Sequence, residues 1–189
     1  VRRLTALVRS YVAAEDPKVA TANFIAMVLA WNTPFYPFYL IATGGAAMRP
    51  GCWFTLLSFP VFLSVPALMR RSSVLGRIAL IAAGTLNTAF CTWLLGEASG
   101  TWLFFGPCVV LVPLVCGRTW WMLAPGILGL AAAGHYPASR FACAPATCGS
   151  LFWMNGISVA CLLVFFGYLA IRRAASAARP MSPPEPPSP

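Results

Sequence analysis

The sequence predicts an all-α, polytopic integral membrane protein with six transmembrane helices and both termini cytoplasmic. Composition is the first observation. Of 189 residues, 59% are hydrophobic and only 9% are charged, whereas soluble domains carry about 25% charged residues. Mean hydropathy is +0.77, more apolar side chain than a soluble fold of this length can hide, so lipid must be its solvent. Second, six apolar runs (19–42, 53–69, 78–95, 101–116, 119–133 and 151–171) approach the roughly 20 residues that cross a hydrocarbon core of about 30 Å. Third, the basic residues alternate. Arg2, Arg3, Arg9 and Lys18 precede the first run, Arg70, Arg71 and Arg77 follow the second, Arg118 follows the fourth, and Arg172, Arg173 and Arg179 follow the sixth. The intervening segments hold only Arg49 and Arg140 of the 13 basic residues. Positive charge is retained on the cytoplasmic side, which orients all six spans.

In chain order, residues 1–18 are expected to form an amphipathic cytoplasmic segment in the membrane interface. Leu4, Leu7, Val8, Tyr11 and Val12 recur at helical spacing, with Arg2, Arg3 and Arg9 on other faces. Asp16-Pro17 reads as a stop followed by a new helix start. The membrane domain is expected over 19–171. Span one carries Trp31-Asn32-Thr33-Pro34-Phe35-Tyr36-Pro37, whose two prolines remove backbone donors and should kink or break the helix. Span two holds Pro60 and Pro66 and ends at Arg70-Arg71. Span three ends in Gly96-Glu97-Ala98-Ser99-Gly100, a tight outer turn. Span four is aromatic at its outer end, and span five is short and rich in Gly and Ala. An exposed outer connection is expected at 134–150. Residues 172–189 read as a basic segment and a Pro-rich disordered cytoplasmic tail.

The net charge of +9 is divided among the ends of separate spans. It therefore points to anionic lipid head groups as partners and away from nucleic acid. Of the cysteines, Cys91, Cys108, Cys116 and Cys161 read as small packing residues. Cys143 and Cys148 fall on the outer side, where a disulfide can persist, and are the candidate pair. No CxxC pair occurs, and one His with four acidic residues makes no metal site. No metal or cofactor is expected.

Ligand contact is expected from polar groups placed where lipid disfavours them. Asn32, Asn87 and Asn155 lie in apolar spans and should face the bundle interior, as interhelical glue or as the wall of a small-ligand cavity. Glu97 and His135, both on the outer side, are a solvated turn acid and a loop histidine, or together part of an outer pocket. No nucleophile–base motif or acid–base pair is present, so no enzymatic activity is expected.

The segment from Asn87 to Phe105, NTAFCTWLLGEASGTWLFF, resembles the six-helix N-terminal membrane regions of bacterial class III adenylate or guanylate cyclases and histidine kinases. It is also similar to stand-alone six-span membrane proteins of proteobacteria. In that group one helix ends in Leu-Gly-x-x-Ser-Gly and an aromatic-rich helix follows, which Leu95 to Gly100 matches in place. The match covers about 20 of 189 residues, and no cyclase or kinase sequence follows Ile171. The resemblance implies a multi-pass module of the bacterial inner membrane that senses or assists and acts through a partner, either a signalling enzyme or a second copy. A small transporter or channel subunit is the alternative.

Overall fold

The computed structural model describes residues 2–44, 49–117, 123–132 and 145–177. All regular structure among the described residues is helical. Helix α1 (Arg2–Val12) leads to Asp16, whose carboxylate accepts the Lys18 N–H at 2.8 Å and caps α2 (Pro17–Asn32). This satisfies one of the donors that every helix start leaves open.

The break expected at Pro34 is a 3-10 turn, Thr33–Phe35. Pro34 has no N–H to continue the α-helical ladder. The chain tightens instead, with the Tyr36 N–H bonded to the Thr33 carbonyl, and the Thr33 hydroxyl donates to the Leu29 carbonyl at 2.8 Å. Helix α3 (Tyr36–Gly44) continues beyond it.

A short α4 (Arg49–Cys52) and a 3-10 stretch, Trp53–Ser58, lead into α5 (Phe59–Arg71), with Pro66 inside it. A single extended residue, Ser72, then ends α5 and caps α6 (Ser73–Leu95) through its hydroxyl. The two helices meet closely at that turn. A Cβ on Gly76 would lie 2.5 Å from Met69 Cγ, so only glycine fits there.

Helix α6 stops at Gly96, followed by 3-10 turns Glu97–Ser99 and Thr101–Phe104, then α7 (Phe105–Cys116). Described next are α8 (Leu123–Ala132) and α9 (Pro145–Ala177), the latter an unbroken 33 residues. Residues 145–150, expected in an exposed connection, are therefore the first turns of α9. Residues 172–177, expected at the start of the tail, are its last. Helix α8 is the described part of the fifth expected span, and residues 178–189 lie outside the described residues.

Among the described residues, four stretches are long and apolar enough to cross a membrane: Pro17–Thr43, Trp53–Arg71, Ser73–Leu95 and Cys148–Ala175. Thr101–Cys116, the fourth expected span, is a shorter apolar helix. One core cluster joins α2, α5, α6, α7 and α9 through buried side chains such as Ile25, Val65, Leu80, Val112 and Phe166. A smaller cluster of Leu40, Cys52, Cys91, Leu94, Leu95 and Leu151 packs beside the glycine turn.

The opposite end of the bundle is basic. Arg77 pairs with Asp16 at 2.9 Å. Arg70 donates to the carbonyls of Ser10 and Tyr11 at 3.0 and 3.1 Å and lies over the Tyr11 ring. Tyr11 in turn donates to the Leu63 carbonyl at 2.9 Å. These contacts fasten α1 to α5. On the far side, Arg173 of α9 donates to the carbonyl of Leu114 in α7.

Candidate functional site

Because α2 breaks at Thr33, the bundle does not close completely around its middle. A cavity of about 510 Å³ lies between α2, α3, α5, α6, α7 and α9. Apolar side chains make most of its wall, among them Phe62, Leu111 and Phe166. Into it project the polar residues Asn32, Thr33, Tyr36, Asn87, Thr88 and Ser158. Among the described residues, no charged side chain lines it.

A chain of buried hydrogen bonds leaves this wall toward the glycine turn. The Thr101 hydroxyl, also on the wall, donates to Thr92 Oγ1 at 3.3 Å, and the Thr92 hydroxyl donates to the Thr88 carbonyl at 2.8 Å. Ser99 Oγ accepts the Thr101 N–H at 3.3 Å and donates to the Gly96 carbonyl at 2.6 Å. Across from it, Asn155 of α9 donates its amide to the Ser99 carbonyl at 2.8 Å and accepts from the Tyr36 hydroxyl at 3.2 Å. Asn155, Ser99, Thr92 and Thr101 are all buried. Groups withdrawn this far from water are costly unless bonded, so the network holds the turn, α3 and α9 in one arrangement.

The glycines make that arrangement possible. Gly96 has φ +81° and Gly100 φ +74°, conformations that disfavour any residue with a Cβ. Gly100 also lies against α9, where a Cβ would be 2.8 Å from Phe152 Cδ2. The Leu-Gly-x-x-Ser-Gly pattern thus has a physical content: two left-handed glycines turn the chain, and the serine between them presents a carbonyl to Asn155.

The structure separates the three asparagines expected to share a role. Asn155 is fully buried and makes two interhelical bonds, but it does not line the cavity. Asn87 is half-buried on the cavity wall, where its carbonyl oxygen accepts from the Cys91 thiol at 3.7 Å. Asn32 lines the cavity too, yet it is exposed on the flank of the bundle and not enclosed within it. It sits at the last turn of α2, just where the helix breaks.

Glu97 is exposed on its 3-10 turn, away from the cavity. His135 and Cys143 lie outside the described residues. Cys148 is buried and disulfide-bonded, whereas Cys91, Cys108, Cys116 and Cys161 are free thiols. Among the described residues, no group of three His, Cys, Asp or Glu side chains could hold a metal ion. Tyr36, Ser99 and Thr101 carry more of the polar network than sequence reasoning assigned them. Only the position of Ser99 in the glycine-bounded turn gave any signal.

Described residues that are all helical in their regular structure, with four helices long and apolar enough for a bilayer around a mostly apolar, uncharged cavity, define a membrane-associated helical domain. More particularly, the chain belongs to MASE7, a membrane-associated sensory domain family whose sequence model matches residues 9–183. No curated protein and no solved structure matches it.

Proposed function

We propose that this chain is a non-catalytic, multi-pass sensory module of a bacterial inner membrane. It would cross the membrane six times with both termini cytoplasmic, and act through a partner: a signalling enzyme of the class III cyclase or histidine kinase kind, or a second copy of itself. Family membership supports the sensory role, and the basic residues at one end of the bundle support the orientation.

The observation that carries the reading is the continuity of α9. Its Asn155 is bonded to the glycine turn at one end of the bundle, and its Arg173 to α7 at the other. At 1.5 Å per residue its 33 residues extend about 50 Å, well beyond a hydrocarbon core of roughly 30 Å. A rearrangement at the turn is therefore transmitted along one uninterrupted element to its basic end.

The test joins residues 1–177 to the catalytic domain of a class III cyclase and measures cyclic nucleotide output in bacterial membranes. Asn155→Leu and Arg173→Leu should each change output severalfold at equal expression. Identical output from all three chimaeras would overturn the reading. Reporter fusions at Ser72, Ala98 and Ala177 check orientation, with Ala98 alone expected on the outer side.

A further inference from the structure

Two interhelical contacts bracket a window into the cavity. Toward the basic end the rings of Phe24 on α2 and Phe165 on α9 lie 5.9 Å apart. Toward the glycine turn the Tyr36 hydroxyl reaches Asn155 at 3.2 Å. Between these contacts, ten residues of α9 and twelve of the α2–α3 path span roughly 15 Å. Trp31 and Asn32 line the cavity from one side of this stretch, and Ile157 and Ser158 from the other. Trp31 is 75% exposed and Ile157 63% exposed, so the opening lies on the flank of the bundle. For helices of this apolarity, that flank faces hydrocarbon.

Asn32 is then badly placed unless something joins it. It lies about 22 Å along the helix that begins at Pro17, and among the described residues its amide makes no hydrogen bond. Asn87, on the cavity wall from α6, is engaged among the described residues only by the Cys91 thiol, which leaves its NH₂ without an acceptor there. An amide left unpaired in hydrocarbon costs several kcal/mol. Two under-used amides on separate helices, facing one cavity that is otherwise mostly apolar, describe the complement of a guest.

We propose that the cavity binds a neutral amphiphile that enters sideways from the bilayer, its hydrogen-bonding head held by Asn32 and Asn87 and its hydrocarbon body against Phe62, Leu111 and Phe166. The volume of about 510 Å³ falls within the range of roughly 300–1,000 Å³ typical of small-molecule sites. The wall offers both donors and acceptors but no counter-charge, so an ionised carboxylate or phosphate head would be desolvated without compensation. This inference deepens the sensory reading and rests on it for its biological meaning. Occupancy would press on the Tyr36–Asn155 contact that forms one edge of the window.

The experiment uses the full chain in phosphatidylcholine–phosphatidylglycerol vesicles. The probes are a sixteen-carbon alcohol bearing a diazirine and the matching fatty acid at a pH where it is ionised. After irradiation, the alcohol should label peptides containing Asn32 and Ser158, and excess unlabelled hexadecanol should suppress that labelling. The ionised acid should neither label there nor compete. Asn87→Leu and Ser158→Phe should each lower the competed labelling by about fivefold, with labelling of the exposed Val164 and Tyr168 face unchanged. The second variant fills the cavity; the first keeps its shape and only removes the amide. Labelling confined to the Val164 face, absence of competition, equal competition by the ionised acid, or full competed labelling in both variants would overturn the proposal. None of those results depends on the cyclase chimaeras, so failure of the ligand assignment and failure of the sensory reading are separately visible.

Discussion

Asn155 donates to the carbonyl of Ser99 at 2.8 Å, joining the first third of the long helix α9 to a turn 56 residues earlier in the chain. Both residues are fully buried. The bond is directed at a backbone carbonyl, so it reads the conformation of the turn and not the identity of a side chain. Anything that rotates α9 or repacks Gly96–Gly100 must break it.

Replacing Asn155 by Leu should therefore lower stability by about 1–3 kcal/mol, since it strands the Ser99 carbonyl and the Tyr36 hydroxyl together. Asn32→Leu, at the exposed mouth of the cavity, should leave stability unchanged or raise it, because leucine suits a span better than asparagine does. Thermal unfolding of both variants in detergent checks the contrast. Equal stability of the two would mean that the Asn155 network carries no net energy.

Gly100→Ala should destabilise by about 1–2 kcal/mol from the left-handed conformation alone, with a further cost for displacing Phe152. Gly167→Ala makes the control. Beyond its own helix backbone and chain neighbours, no atom of the described residues lies within 4 Å of a Cβ built on Gly167, and alanine is favoured over glycine within a helix by about 1 kcal/mol. The first variant should lower the melting temperature, and the second should hold or raise it.

Arg70 holds α1 by two carbonyls and the face of Tyr11, a geometry that a planar guanidinium satisfies and an ammonium does not. Arg70→Lys should loosen α1 without unfolding the bundle. Limited proteolysis after Arg3 or Arg9 should then proceed severalfold faster than in the parent chain. An unchanged rate would show that Arg70 does not hold α1 and that its other contacts, such as the Tyr11–Leu63 bond, suffice.

Much of this architecture was legible in the residues. Apolar runs located the helices, Pro34 located the break in the first, Arg70-Arg71 marked the end of α5, and the basic residues collect at one end. The sharing of roles among the three asparagines was not legible. A helix that is apolar all round has no polar face from which to read orientation, so only neighbouring helices decide whether an amide meets a wall, a window or a turn. The full length of α9 was hidden for a related reason. Residues 145–150 contain Pro145 and Gly149 and look like loop, yet proline is well tolerated in a first helical turn. The buried hydroxyl network was missed because Ser and Thr within spans are usually satisfied by their own helix, as Thr33 is. Only the fold shows that Thr92 and Thr101 bond to each other.

The last prediction separates the two halves of the Asn155 contact. Tyr36→Phe removes one hydroxyl and keeps the ring, so Asn155 retains its bond to Ser99 while its own carbonyl oxygen loses a donor. Ser99→Ala leaves the backbone carbonyl that Asn155 reads and removes only the hydroxyl bonded to Gly96 and Thr101. Both single variants should cost about 0.5–1.5 kcal/mol, the usual net worth of one hydrogen bond. Their coupling should come through Asn155. With Asn155 present, the double variant should depart from additivity by 0.5 kcal/mol or more, as members of one network do. In an Asn155→Leu background, Tyr36→Phe should cost nothing further, because the hydroxyl has already lost its partner. Unfolding measurements over the cycle decide it. If Tyr36→Phe costs the same in both backgrounds, the Tyr36 hydroxyl is satisfied elsewhere, and the window between α2 and α9 is not latched by this pair.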